Sequence, residues 1–366
     1  MYYYKLIKPN NLFGSPLAVK GIIKNMDIKS IPIGIVGTGG IAQVHLTAYK
    51  NRGFNVVAAC DIDENKVKTT AEKFGIKNYF TDFNKLLQIP EIQVIDIALQ
   101  PWQRLPVIEA SAKAGKHILC QKPFAMSMKH AVAFVEVCER YGVKLMVNQN
   151  SCFVPGFLAI EPYMKPEFMG DIYYSSIEAT GFVPNFPERH LIPAMMVHHI
   201  ALVHKWFGNI SSVFAMAERE GGKIEDGENL GVLMLEFEND VKCLLVTNWV
   251  WRGEVGRRNH SIEEIRIQGT KGTIFGHSQD MNVHLTEPEV KDIHPEIKGV
   301  WFPDAFGNSM AHFLECVDKD LVPITNGRDN LDQVIRTVFA SYRSIEEKRA
   351  VSPAEIPYDS DIGYNP

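Results

Sequence analysis

No two cysteines in this 366-residue chain stand as a Cys-x-x-Cys pair. The six that occur, Cys60, Cys120, Cys138, Cys152, Cys243 and Cys316, are scattered, which argues against a disulfide framework in a chain this long and reads as reduced, mostly buried thiols. Apart from the adjacent His198 and His199, no Cys/His spacing suits a metal, so no metal site is expected. Long apolar runs are missing too. Charge-free stretches such as 145–160 contain Asn and Gln and fall short of the roughly 20 residues that a spanning helix needs. The N-terminus carries Lys5 and Lys8 but no apolar segment of signal-peptide type, and a cytoplasmic location is the expectation. No stripe of one charge stands out: the net charge is −5 with both signs dispersed, so neither nucleic acid nor a membrane is an expected partner. Repeats and low-complexity tracts are absent. What remains is 46% hydrophobic and 22% charged, enough for two globular domains.

Residues 1–29 show no clear period and read as an N-terminal extension. From there to about residue 150 the chain alternates short apolar runs with helical patterns. Strands are expected at 31–36, 55–60, 94–99, 117–120 and 143–147, and helices after the first strand and at 63–74, 107–115 and 126–141. Alternation of this kind builds βαβ units with right-handed crossovers, hence an α/β, doubly wound, mostly parallel sheet over 30–150. The rhythm then changes. Longer strands are expected at 172–182, 212–219, 231–238, 241–251 and 264–267, with hairpin turns at 238–240 and 269–272. Amphipathic helices are expected at 192–207, 306–318 and 331–347. Residues 151–366 therefore read as an α+β domain in which a large antiparallel or mixed sheet carries helices on one face.

Between the first strand and the first helix lies Gly37-Thr38-Gly39-Gly40-Ile41-Ala42, a G-x-G-x-x-A turn. Gly37 permits the tight turn, Gly39 lets the backbone approach a pyrophosphate, and Ala42 lets the helix pack close to the strand. The helix amino end offers free N–H groups and the positive end of its dipole. Asp61 closes the second strand 24 residues after Gly37, where a carboxylate can accept both ribose hydroxyls and repel a 2′-phosphate. NAD is thus favoured over NADP. A glycine turn without a ligand is the plain alternative. S-adenosylmethionine sites use a similar carboxylate but commonly place an acid before the glycines, where Ile35-Val36 stands here.

Lys122 follows the 117–120 strand, in Cys120-Gln121-Lys122-Pro123. Strand carboxyl ends of open α/β sheets face the ligand crevice, so this lysine is expected at the nicotinamide end of a bound cofactor. The bond before Pro123 is one that can be cis. A lysine in a partly dry cleft has its pKa lowered and can shuttle a proton, although Lys-Pro alone also fits a solvated turn. Gln100, Pro101 and Trp102 end the 94–99 strand, and Trp102 is placed to cover the nicotinamide or ribose. Asn148, Gln149 and Asn150 follow the last strand and read either as cleft-lining groups or as turn caps.

Taken together, residues 37–42, Ala59-Cys60-Asp61, Ala114-Gly115-Lys116-His117-Ile118, Gln121-Lys122-Pro123, residues 269–274 and 323–325 resemble the Gfo/Idh/MocA oxidoreductases, which include inositol dehydrogenase and glucose–fructose oxidoreductase. The resemblance runs from about 31 to about 351. It implies a Rossmann domain plus a C-terminal domain with an open, mainly antiparallel sheet, often used to form homodimers or homotetramers. It also implies hydride transfer between nicotinamide and a secondary alcohol of a sugar, inositol or related polyol. Lys122 inherits the proton-relay and substrate-hydroxyl role of the family's Glu-Lys-Pro. His198 takes the place of the family's catalytic histidine, with His199 as the off-by-one alternative, about 100° away around the helix. Asn150 and His199 join Lys122 and His198 as substrate-binding candidates, while Gly37, Thr38, Gly39, Gly40, Ile41, Asp61, Gln100, Pro101, Trp102, Gln121 and Lys122 are the cofactor-binding set.

The chain departs from the family pattern at four places. Ala194 and Ala201 stand where aspartates are usual, Gln121 replaces glutamate, and Cys152 lies near a usual arginine. Loss of the negative charge at 121 makes neutral Lys122 easier to form. Arg189 and His190, just before the His198 helix, read as surface residues within reach of a substrate. Two readings stay open beside the dehydrogenase: a cofactor-binding sensor or assembly subunit with little catalysis, and an enzyme that recycles tightly bound NAD, as an epimerase or transhydrogenase does.

Overall fold

The computed structural model describes residues 27–181, 188–220, 227–251 and 262–362, so most of the N-terminal extension lies outside the described residues. The first sheet contains β1 (Ile33–Val36), β2 (Val56–Cys60), β3 (Asn78–Phe80), β4 (Val94–Ile97), β5 (His117–Gln121) and β6 (Leu145–Asn148). All pairings are parallel, in the order β3-β2-β1-β4-β5-β6. The helices are α1 (Gly40–Arg52), α2 (Glu64–Phe74), α3 (Phe83–Leu87), α4 (Arg104–Lys113) and α5 (Met128–Arg140). Every residue of β1, β4 and β6 is buried, which is why these strands read as mainly apolar runs, broken only by Asp96 in β4 and ended by Asn148 in β6. The strand order reverses between β1 and β4, so a crevice opens there at the strand carboxyl ends. The expected doubly wound sheet is present. The sequence pattern missed β3, whose three residues leave Asn78 and Tyr79 exposed and carry no apolar run.

The second sheet has eight strands: β7 (Ile172–Thr180), β8 (Ile210–Glu218), β9 (Leu230–Phe237), β10 (Lys242–Asn248), β11 (Ile262–Gly269), β12 (Gly272–His277), β13 (Asp280–Leu285) and β14 (Lys291–Ile293). Their order is β14-β13-β12-β11-β7-β10-β9-β8, antiparallel except for the parallel β7–β10 pair. The turns at 238–240 and 269–272 are hairpin connections as expected. The expected strand at 264–267 is longer, and β12–β14 follow it. Those three strands mix Gly, His, Asp and Asn with their apolar residues, which hid the alternation. Burial alternates along β9: Leu233, Leu235 and Phe237 face inward, whereas Met234 and Glu236 are exposed.

One face of this sheet is covered by helices. The helices of this part of the chain are α6 (Pro155–Ile160), α7 (Pro166–Met169), α8 (Val197–Phe207), α9 (Phe306–Asp318), α10 (Gly327–Asp329) and α11 (Arg336–Glu347); α11 packs on β8, α6 on β13 and α7 on β12, whereas α10 packs on α5 and β6. The helix expected at 192–207 opens with a π turn, Ile192–Met196, before α8. The 331–347 helix likewise opens with a π turn over Asn330–Ile335. A kinked turn with Phe302 in extended backbone, Trp301–Ala305, leads into α9, and Pro303 follows a cis bond. Turns of the π kind recur at functional sites.

The two sheets are joined through packed contacts. Helix α9 lies against α1, β5 and β6. The Arg52 guanidinium donates to Asn308 Oδ1. At the edge strand β6, Val147 N–H donates to Thr325 O at 2.8 Å, and Thr325 Oγ1 donates to Val147 O at 2.6 Å. This covers an edge that would otherwise expose unpaired backbone groups. All six cysteines are free and buried, as expected. Among the described residues no helix is long and apolar enough to cross a membrane.

Candidate active site

The glycine turn lies at the amino end of α1. Gly37 sits at φ +94°, and a Cβ there would stand 2.7 Å from Ala98 O, so only glycine fits between β1 and β4. Gly39 is different. It is the N-cap of α1 with an ordinary extended backbone, and a Cβ on it would meet nothing within 4 Å. Protein packing therefore does not require a glycine at this position. No side chain caps α1, so its first N–H groups remain available on that open side. An uncapped, uncrowded helix start fits a dinucleotide's pyrophosphate.

Asp61 stands at the carboxyl end of β2. Its Oδ2 accepts from Thr38 N–H at 2.7 Å and Thr38 Oγ1 at 2.9 Å, and its Oδ1 accepts from Asp63 N–H at 3.1 Å. The carboxylate thus orients the turn, and a carboxylate's four or so lone-pair sites leave room for a ribose hydroxyl. Thr38, Gly39 and Gly40 line a groove of about 580 Å³ together with Gln43, Lys66 and Lys73.

A second cavity, of about 310 Å³, lies where the β1–β4 crevice meets the second domain. Ile41, Gln100, Pro101, Trp102, Gln121 and Lys122 line it, whereas Asp61 and the turn glycines lie outside this space. His190, Ala194 and Met195 close it from the second domain. Arg104 holds its walls together. This buried guanidinium donates to Leu99 O from Nε (2.9 Å) and Nη2 (2.6 Å), and from Nη1 to Phe124 O (3.0 Å) and Pro123 O. It therefore ties the Gln100–Trp102 turn to the turn that carries Lys122.

Lys122 Nζ donates to Ala194 O at 2.8 Å. Burial, and then the Arg104 charge, lower its amine from the ordinary 10.5 to about 8. The Lys122–Pro123 peptide is cis. His198 lies within electrostatic range of Lys122. Burial, followed by the Lys122 charge and His199, holds its imidazole well below the usual value, so it is neutral. Its Nδ1 is buried with no hydrogen-bond partner among the described residues, and its carbonyl accepts from Ser151 Oγ at 2.7 Å. Edge-on to the His198 ring, at a centroid distance of 6.0 Å, is Trp301, which donates through Nε1 to Asn150 Oδ1 at 2.7 Å. Asn150 thus reaches the site through Trp301.

Other expected residues go elsewhere. His199 is buried in α8, with both ring nitrogens unpartnered among the described residues, and like His198 it is not part of the cavity wall. Arg189 reaches Ile362 O and Glu346 and lies over the Tyr342 ring, so its place is structural, whereas His190 is in the wall. Gln149 donates to Asn330 Oδ1 at 3.0 Å and Asn148 points to His45. Near Cys152 the cation is Lys205, donating to Cys152 O at 2.8 Å and to Glu161. Sequence reasoning overlooked Arg104, Trp301 and the buried set His45, Tyr49 and Asp96. A signal was available for the last: Asp96 interrupts the otherwise apolar Val94–Ile97.

Comparison with known proteins follows the same lines. Residues 31–149 match the model of an oxidoreductase family with an NAD-binding Rossmann fold, and residues 194–353 match that family's C-terminal α/β domain. D-apiose dehydrogenase of Paraburkholderia graminis is 25% identical over 341 residues, 88% of this chain and 90% of that one. The uncharacterized oxidoreductase YrbE of Bacillus subtilis is 30% identical over 333 residues, 87% of this chain and 95% of its own. In fold, the chain matches a crystal structure of an oxidoreductase from Agrobacterium radiobacter in complex with NAD+, L-tartaric acid and magnesium. That match has a TM-score of 0.80 at 22% identity and covers 89% of this chain and 99% of the other.

Proposed function

The chain belongs to the Gfo/Idh/MocA family of NAD-binding oxidoreductases, and from that premise we propose that it oxidises a secondary alcohol of a sugar or polyol with Lys122 as the proton acceptor. Bound NAD would supply the hydride acceptor, its pyrophosphate at the start of α1, its adenosine ribose on Asp61 and its nicotinamide beside Gln100, Pro101 and Trp102. The chain's own residues do the rest. Lys122, as the neutral amine, takes the hydroxyl proton as the carbinol C–H bond breaks and the carbonyl forms. His198, held neutral, offers a ring nitrogen to the same oxygen. His190 extends the polar wall toward the substrate's other hydroxyls.

The observation that carries this reading is the placement of Lys122: an amine brought to about 8, in a cavity formed by the predicted nicotinamide-side residues. A base with a pKa near the working pH is the useful kind. Support for a sugar or polyol substrate comes from relatives such as the D-apiose dehydrogenase.

The test is NADH fluorescence on adding NAD and a panel of aldoses, cyclitols and sugar acids. The expected result is NADH formation with at least one member, lost in Lys122→Met. NAD binding without turnover of any member would favour the sensor reading. Turnover with NAD(H) retained on the protein would favour the recycling one.

We also propose a homodimer or homotetramer built on the helix-free face of the second sheet. Met216, Met234 and Phe275 are all exposed there, a density of large apolar groups that solvent-facing strands seldom carry.

A further inference from the structure

The buried polar groups behind the cavity converge on His45, a residue of α1 with no exposed surface. Its Nδ1 lies 2.7 Å from Asp96 Oδ2 in β4, and Tyr49 Oη, one helical turn along, donates to the same oxygen at 2.7 Å. On its other side Nε2 faces Gln121 Nε2 at 3.4 Å and Asn148 Nδ2 at 3.3 Å, the last residues of β5 and β6. The Phe306 ring of α9 closes the pocket at a centroid distance of 5.0 Å.

The hydrogen bonds locate the proton on this ring. Gln121 Oε1 accepts Lys122 N–H at 2.7 Å, so the NH₂ end of that amide is the one toward His45. An NH₂ group only donates, so His45 Nε2 accepts and Nδ1 carries the proton to Asp96. A doubly protonated ring would set its Nε2–H against two donors with nothing to receive it.

We infer that His45 is a positioning residue for Lys122: neutral and protonated on Nδ1, it accepts from Gln121 and Asn148 and so fixes the ends of β5 and β6 from which Lys122 enters the cavity. The inference rests on Lys122 being the proton acceptor of the proposed reaction. It also gives a reason for the amide at position 121. A glutamate facing Nε2 would draw a second proton onto the ring, leaving an imidazolium between two carboxylates. The new carboxylate would also adjoin Lys122 and favour its charged form. Among the described residues, the titratable groups facing Lys122 are Arg104 from α4, His190 ahead of α8 and His198 on α8. Those facing His45 are Tyr49 and Asp96, with Cys120 of β5 beyond Asp96.

The test is nitrogen NMR of the full-length protein labelled with ¹⁵N-histidine, the His45 signals being assigned by their loss in His45→Gln. At pH 7 the wild-type ring is expected to show a protonated Nδ1 and a bare Nε2, and in Gln121→Glu both nitrogens protonated. A wild-type Nε2–H, or the same protonation state in both proteins, would overturn the inference. The wild-type spectrum alone decides the proton's position where Gln121→Glu does not fold. With an oxidised alcohol in hand, the ascending limb of kcat/KM against pH should move up by about one unit in Gln121→Glu. A role in packing alone would lower Tm and leave that limb in place, which counts against the inference. Absence of turnover in the wild type would instead overturn the role given to Lys122, since the spectra need no substrate.

Discussion

Lys122 Nζ and the carbonyl oxygen of Ala194 form a 2.8 Å hydrogen bond that spans the two domains. A main-chain carbonyl orients the amine without adding the full negative charge that an aspartate at 194 would bring. The amine can therefore lose its proton near 8, where burial and Arg104 have placed it. The neutral form is the acceptor, so kcat/KM for alcohol oxidation is expected to rise with pH through about 8 and level off above. Lys122→Met should lower kcat by roughly 100- to 10,000-fold. Ala194→Asp should move the rise to higher pH, because a nearby anion stabilises the ammonium form. An unmoved pH profile in Ala194→Asp would show that some other group titrates.

The two glycines of the cofactor turn are expected to behave oppositely. Gly39→Ala puts a methyl group into open space on an ordinary extended backbone, so folding should be unaffected while NAD binding weakens by about tenfold or more. Gly37→Ala forces a side chain into positive φ and against Ala98 O, and should cost about 1–3 kcal/mol of stability. Urea melts and NAD titrations of the two variants separate these effects.

Much of the first domain was legible because its physics is local. Buried parallel strands read as apolar runs, and the turn after β1 has one chemistry. The groups that hold the site were harder to see. Arg104 acts on three carbonyls that meet only in the fold, Trp301 comes from a kinked turn some 150 residues beyond its partner Asn150, and His45 and Asp96 lie 51 residues apart. A charged residue inside an apolar strand run, as Asp96 is, was the one local warning. His198 and His199 could not be separated by pattern alone. The fold buries both outside the cavity wall and sets only His198 within electrostatic range of Lys122.

His199 should register in stability rather than turnover. Burial lowers its imidazole to about 4, against about 6.5 for an unfolded histidine. Between those values the unfolded chain binds the extra proton, so stability falls as pH drops from 6.5 toward 4, by up to about 3 kcal/mol from this group. His199→Leu should flatten that part of the stability profile measured by urea unfolding. An unchanged slope would remove His199 from the account.

The exposed face of the second sheet gives a prediction about assembly. Met234→Lys places a charge on a solvent-facing position of β9 and should leave the monomer folded. If that face is the subunit interface, the variant should sediment as a smaller species than the wild type at the same concentration. A wild-type monomer in the ultracentrifuge would rule out the assembly.

Whether Asp61 and the start of α1 hold NAD is decided by calorimetric titration of the purified protein with NAD and with NADP. Saturable one-site heat with NAD is expected, with at least about tenfold weaker binding of NADP and loss of that preference in Asp61→Ser. No heat with either nucleotide, or tighter binding of NADP by the wild type, would contradict that placement.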